Sequence, residues 1–361
     1  MKPLAIGIDI GGTHTRIGGV TVQGDIMVES QIATHAYPDG AAYLQALHQQ
    51  VRQLMNKSRG FFEIVGIGIG APGMRLSTGS IEDAANLPWE KPLPILNYFE
   101  ECLDLPIQVT NDANLTAIGE LLYGVGRSMS NFLTITLGTG LGGGIIANGE
   151  LLHGDEGQAG EFGHMIYQRD GRQCGCGRRG CLETYVSAPG LQRTVMELMA
   201  EHPHPTSRLS AIAYNQLTAR MVHEAALEGD LLACEAIQRT GTVLGQALAD
   251  LAAAYNPEAF IIAGGLAKAG NMLYEPVRRA LQKNLLHNIQ NDVQVLPGSL
   301  EENDMALLGA SALVWKHLSF DLDDLPERSL PPKAEQAPRS KTTDSKTSIP
   351  EVLISQNQIL P

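Results

Sequence analysis

Three cysteines and a histidine lie close together in the chain, as His164, Cys174, Cys176 and Cys181. Cys₃His is the ligand count of a closed structural zinc site. The knuckle Cys174-Gly-Cys176-Gly-Arg-Arg-Gly-Cys181 is rich in glycine, so its backbone can curl around one ion. His153 is also near, and spacing alone leaves the fourth ligand open between it and His164. Disulfides fit less well: no secretory signal is evident, and thiols stay reduced inside cells. The remaining cysteines, Cys102 and Cys234, read as isolated core residues. Two acids flank the ligands, Glu161 before the histidine and Glu183 after the last cysteine. A metal at the knuckle would hold both at fixed positions, as polyol binding requires.

A second group of residues suits phosphate chemistry. Glycine turns at strand ends free backbone N–H groups for phosphate oxygens and allow close approach. The chain offers Asp9-Ile-Gly11-Gly12-Thr13, Gly138-Thr139-Gly140-Leu-Gly-Gly143, and Gly264-Gly265. Asp9 at a strand end suits Mg²⁺ held through water, and Thr13 suits a phosphate oxygen. Asp112 follows a short strand within Asn111-Asp112-Ala-Asn114, where a helix starts. A carboxylate there can act as general base on a substrate hydroxyl. The helix N-terminus is expected to keep it ionised, and its low basicity is tolerable in the loose transition state of phosphoryl transfer. Gly138 to Gly143 and Gly68 to Gly73 both fit G-x-G-x-x-G, yet neither leads into an evident helix, and no Walker A motif occurs. Dinucleotide and P-loop readings therefore fall away.

The elements that must position these residues follow from apolar patterning. Residues 4–9 form a strand that enters the first glycine turn and returns as a strand over 15–22. The layout repeats at 132–137, through 138–144 and back at 145–147, before the hairpin dipeptide Asn148-Gly149. This points to a duplicated lobe with nucleotide phosphates between the copies. Further strands are expected at 64–69, 107–110 and 259–263, and helices at 41–55, 115–123, much of 189–256, and 306–317. The 361 residues, 43% hydrophobic and 18% charged, fit a globular protein of two lobes. A net charge of −13 argues against nucleic acid as a partner. No apolar run reaches the length of a membrane span, so the cytoplasm is the expected location. From about Phe320 the composition turns to Asp, Pro, Lys, Ser and Thr, the signature of a disordered tail.

Together, Asp9 to Thr13, Asn111 to Asn114, Leu137 to Gly140, Glu161-Phe-Gly-His164 and the Cys174–Glu183 knuckle resemble the ROK family (repressors, open reading frames, kinases). The match runs in order from about Leu4 to His317. The resemblance implies the α/β, two-lobed actin/hexokinase-like ATPase fold, with duplicated hairpin-containing lobes and a structural zinc knuckle. The lobes would be 1–114, completed by a helix at 305–318, and 115–304, with 319–361 as the tail. It also implies ATP, Mg²⁺ and structural Zn²⁺ as cofactors. His164, Cys174, Cys176 and Cys181 would be the zinc ligands. Asp112 would be the catalytic base for a sugar 6-hydroxyl, and Gly73, Asn86, Asn111, Glu161, His164 and Glu183 would contact the sugar. His164 would ligate zinc through one ring nitrogen and face the sugar with the other. Many relatives carry Lys after Gly-Gly-Thr, where this chain has His14.

The implied activity is ATP-dependent phosphorylation of a hexose, glucose first. An N-acetylhexosamine kinase shares every motif, and a non-catalytic sugar-binding regulator is the third reading. The family's repressors place a helix-turn-helix before the first phosphate strand. Here that strand begins at Leu4, so no such domain is expected. The sequence leaves room for a homo-oligomer, dimer or tetramer, without fixing it.

Overall fold

The computed structural model describes residues 1–319 except 38, 83, 85, 90–91, 203–205 and 290–292. The expected tail at 319–361 thus lies, apart from Ser319, outside the described residues.

In the first half come β1 (Lys2–Ile10), β2 (His14–Val20), β3 (Ile26–Ala33), α1 (Gly40–Ser58), β4 (Phe62–Ala71), the short hairpin β5 (Met74–Arg75) and β6 (Ser80–Ile81), α2 (Ile95–Cys102) and β7 (Ile107–Asn111). The second half holds α3 (Asp112–Tyr123), β8 (Phe132–Leu137), β9 (Leu141–Ala147), β10 (Glu150–Leu151), α4 (Glu183–Val186), α5 (Ala188–Glu201), α6 (Ala219–Leu227), α7 (Leu231–Tyr255), β11 (Ala259–Ala263), α8 (Asn271–Asn284), β12 (Gln294–Pro297) and α9 (Met305–His317).

Two five-stranded sheets repeat one topology, β3-β2-β1-β4-β7 and β10-β9-β8-β11-β12. In each, three strands form an antiparallel meander whose first strand pairs in parallel with a fourth, and the fourth pairs in parallel with a fifth. The duplication read from the glycine turns is therefore present in the strand order. The parallel strands carry apolar runs such as Ala259-Phe-Ile-Ile-Ala263, buried throughout, as strands covered on both faces must be.

Sequence patterning missed β3, α2, α8 and β12. In β3 the residues alternate between half-buried and exposed and only Ile32 is buried, so little apolar signal marks it. The second returning strand starts at Leu141, earlier than expected, and Gly142, Gly143 and Gly144 lie within it. Their work is close packing: a Cβ on Gly143 would come 2.3 Å from Phe162, and one on Gly144 2.6 Å from Ala117.

Helices α3 and α9 share an apolar cluster with residues of both sheets, among them Ala5, Val20, Phe132, Ile146, Ile261, Leu308 and Trp315. Absent side chains let α9 come this close. A Cβ on Gly68 would sit 1.8 Å from the Ala310 carbonyl oxygen, and one on Gly7 2.5 Å from that of Leu307. Separate clusters lie on the outer sides, one beneath α1 and α2 and one among α5, α7 and α8. The fully buried Glu120 on α3 ties this layer to the segment before α9. Its carboxylate accepts hydrogen bonds from the N–H groups of Val125 (2.9 Å), Ser299 (2.8 Å) and Leu300 (3.2 Å), and from the Ser299 hydroxyl (3.0 Å). Burial pushes its pKa up, against the pull of those bonds. The expected boundary at 114/115 falls inside α3. No helix among the described residues is long and apolar enough to cross a membrane.

Candidate active site

Strand β7 delivers Asn111 and Asp112 to the start of α3. Asn111 is the N-cap, its Oδ1 accepting the Ala113 N–H at 3.0 Å, and Asp112 Oδ1 accepts the same N–H at 2.9 Å. Capping thus explains Asn111 and leaves the second Asp112 oxygen available. The helix terminus alone predicts a depressed pKa for Asp112, but the structure corrects this. Water reaches the side chain through the cleft, yet protein surrounds it otherwise, so desolvation pushes the pKa up, opposed by the Ala113 hydrogen bond and reinforced by Glu161.

Asp112 opens into a cavity of about 710 Å³. All seven residues expected to contact a sugar line it: Gly73, Asn86, Asn111, Asp112, Glu161, His164 and Glu183. They come from segments of both halves. Gly73 adopts φ +66°, and a Cβ there would meet the Glu82 carbonyl oxygen at 2.2 Å, so only glycine fits this turn. Glu183 opens α4, and its Oε2 accepts the Leu141 N–H at 3.0 Å, tying the knuckle to the second glycine turn.

The knuckle places its ligand atoms together. Those of His164, Cys174, Cys176 and Cys181 all lie within 4.8 Å of one another, and His153 is not among them. Cys176 and Cys181 sulfurs are 3.6 Å apart, and Cys174 Sγ is 3.8 Å from His164 Nδ1. A tetrahedral ion with Zn–S bonds of about 2.3 Å needs ligand–ligand edges of roughly 3.8 Å, so the set fits. At Cys176 desolvation opposes ionisation, but hydrogen bonds from Arg178 and the neighbouring cysteines outweigh it and bring the thiol to about 6. The other imidazole nitrogen, Nε2, faces Glu161 Oε2 at 3.9 Å. Cys102 and Cys234 are half-buried instead of central to the core.

Gly138 and Thr139 also line a second cavity, of about 600 Å³. Its walls include Ala188, Leu191, Ala219, Ile237, Gly265 and Leu266, with Lys268 and Glu302 paired at 2.5 Å. Gly140 borders only the first of the two cavities, and Gly264, at φ +89°, turns tightly over the Leu137 backbone. Asp9, Gly11, Gly12 and Thr13 line neither cavity. Gly12 instead backs the Asn86 segment, where a Cβ would meet the Asn86 carbonyl oxygen at 2.8 Å. Thr13 uses its carbonyl to accept the Thr34 N–H. Asp9 ends β1, half-buried, with its pKa raised to about 6 by desolvation and by Asp112, against the pull of Arg16.

Sequence reasoning missed Arg75, Glu82, Thr116, Thr136 and Gln158 on the first cavity, and most of the second. None belongs to a motif. Only their position beside Gly73, Asp112, Leu137 and Glu161 hints at them.

The ROK family profile matches residues 5–317. This chain belongs to the ROK family. It is 37% identical over 312 residues to a glucokinase of Halalkalibacterium halodurans, covering 86% of this chain and 94% of the relative. A ROK glucokinase from Streptomyces griseus, solved with glucose and AMPPNP, superposes with a TM-score of 0.70 at 33% identity, over 86% of this chain and 98% of that one. The family's other branch matches less closely: a xylose repressor of Caldicellulosiruptor bescii is 27% identical, over 87% of this chain and 79% of the repressor. The fold is the two-lobed actin/hexokinase-like one of the ROK kinases.

Proposed function

We propose that this protein is an ATP-dependent hexose kinase that phosphorylates the 6-hydroxyl of glucose. The observation that carries the reading is the pair of cavities meeting at Gly138 and Thr139, one lined by Asp112 and a ring of sugar-suited side chains. Glucose and AMPPNP in the Streptomyces griseus relative match those two occupants in kind. Asn111, Asn86, Glu161, His164 and Glu183 hold the sugar hydroxyls. Asp112 then orients the 6-hydroxyl and accepts its proton as the oxygen attacks the γ-phosphoryl group, whose bond to the bridging oxygen of the β-phosphate breaks to release ADP. Its raised pKa makes it a better base than an ordinary carboxylate.

Nucleotide phosphates would lie along the second glycine turn, with Gly264 and Gly265 beyond and Gly11, Gly12 and Thr13 opposite. Asp9 and Asp112 repel one another; Asp9 would hold Mg²⁺, whose positive charge would offset that repulsion and the charge of the phosphates. Zn²⁺ on His164, Cys174, Cys176 and Cys181 would be structural, since four protein ligands leave no position for water or substrate. Its thiolate ligands suit the reducing cytoplasm, the compartment we assign. The lobes are 1–114 with 305–318, and 115–304, hinged where α3 and α9 lie between the sheets.

The test is ADP release across a sugar panel. Glucose is expected to give the highest kcat/KM. A preference of about tenfold for N-acetylglucosamine or N-acetylmannosamine would sink the glucose assignment and leave the kinase standing. Absence of ADP release with every hexose would sink the kinase.

A further inference from the structure

One ion-pair cluster on the sugar cavity stands apart from Asp112 and the residues that hold the sugar hydroxyls. Arg75, at the end of β5, lines the cavity together with Glu82 and Gln158. Its Nε donates to Glu82 Oε2 at 2.9 Å, and its Nη1 donates to Glu156 Oε2. Glu82 in turn accepts the Thr78 hydroxyl at 2.8 Å, and its own N–H donates to the Gly73 carbonyl at 2.8 Å. Glu82 and Arg75 are thus fixed to the Gly73 turn of the first half. Glu156 belongs to the segment of the second half that runs straight into Glu161 and His164. Backbone and apolar contacts run along the same line. The Leu76 N–H reaches the Glu156 carbonyl at 3.4 Å, and a Cβ on Gly157 would come 2.7 Å from Leu76.

We infer that Arg75 is a positioning residue: its bridge to Glu156 latches the segment before Glu161 onto the Gly73 turn and so holds Glu161 and His164 at the spacing the sugar needs. The inference rests on the sugar-kinase reading. Arg75 and Glu156 keep 32% and 47% of their side-chain exposure, and such pairs contribute little to global stability. The latch therefore acts on binding geometry and not on the melting temperature. A misplaced ligand set weakens the sugar complex before it touches the proton transfer at Asp112, which sits on the rigid β7–α3 junction.

The test compares Arg75→Gln, Glu156→Gln, the double variant and Arg75→Lys with the wild type. Glucose affinity is read by isothermal titration calorimetry and by steady-state KM. Each single variant is expected to weaken glucose binding and raise its KM about tenfold, with kcat at saturating sugar changed much less and KM for ATP unmoved. The double variant should be no worse than either single one, because both remove the same bridge. Arg75→Lys, keeping the charge, should recover part of the affinity. Unchanged glucose affinity in both single variants, or losses that multiply in the double, would overturn the latch. A structural role would instead lower the melting temperature and raise both KM values together, which also overturns it. Failure of the kinase reading is separate, because it shows in the wild type as no hexose response at all.

Discussion

The two cavities that meet at Gly138 and Thr139 are built on opposite principles. The sugar-side cavity carries the carboxylates of Glu82, Asp112, Glu161 and Glu183, each held by a turn, a cap or the cysteine knuckle. The other is walled mainly by small and aliphatic side chains from α5, α6, α7 and the Gly265 turn. A ligand covered in hydroxyls must be met group by group, because each unpaired polar group left buried costs about 1–3 kcal/mol. A flat aromatic base asks mostly for an apolar slot of the right width. Hence one side is specified by chemistry and the other by shape.

Asp112→Asn breaks the chemical side most severely. The amide still hydrogen-bonds a hydroxyl but cannot take its proton, so turnover should fall by about 10²–10⁴-fold while glucose affinity holds. Near-wild-type turnover would remove Asp112 from its role. The same residue sets the acid limb of the wild-type pH profile. Protonation of Asp112 silences it, so kcat/KM declines as pH falls through its folded pKa, and desolvation by the surrounding protein moves that limb up from the ordinary aspartate value. A limb at the model-peptide value of about 3.9 would contradict that desolvation.

Cys176→Ala tests whether the knuckle serves the sugar side alone. Metal content by elemental analysis, melting temperature and glucose affinity are expected to fall together, while ATP affinity measured on protein that stays folded changes little. Pure wild-type protein without zinc would refute the metal assignment. On the shape-built side, Ala219→Trp should fill the slot and raise KM for ATP about tenfold, leaving glucose binding by calorimetry unchanged. An unmoved ATP KM would take that cavity out of nucleotide binding. Glu120→Gln addresses the layer that both cavities share. An amide in place of a carboxylate oxygen turns N–H toward N–H at Ser299 or Val125, for a loss of about 1–3 kcal/mol in stability. Both affinities should survive equally. No change in denaturation midpoint would mean those bonds are replaceable.

The same contrast explains what the sequence made legible. Asn111-Asp112, Glu161, His164, Glu183 and the cysteines are marked by residue types that few structural roles demand; the first five line one cavity, and the cysteines gather around His164. The duplicated glycine turns were legible too, because a turn between apolar strands announces itself locally. Ala188, Leu191 and Ala219 looked like ordinary helix faces, and only tertiary packing turns them into a wall. Gly142 to Gly144 misled for a related reason: glycine marks a tight turn and a close approach with the same letter, and here the close approach of Phe162 and Ala117 decides. Arg75 and Glu156 stand 81 residues apart, so no local pattern could join them. Helix position, which lowers the pKa of Asp112, is visible in sequence, while desolvation by tertiary packing and the charge of Glu161, which raise it, are not.

The seating of α9 on Gly7 and Gly68 has a consequence for synthesis. A nascent chain emerges from its N-terminus, so β1, β2, β4 and β7 are available long before residues 305–317 leave the ribosome. Until then the sheet face that receives Leu308, Ala310 and Val314 has no cover, and its contacts are among the longest in sequence that the fold contains. Such non-local closure is slow, and uncovered sheet faces are prone to association. The first half to be made is therefore among the last to be finished, and chains released before residue 305 are expected to be clients of chaperones, not half-enzymes.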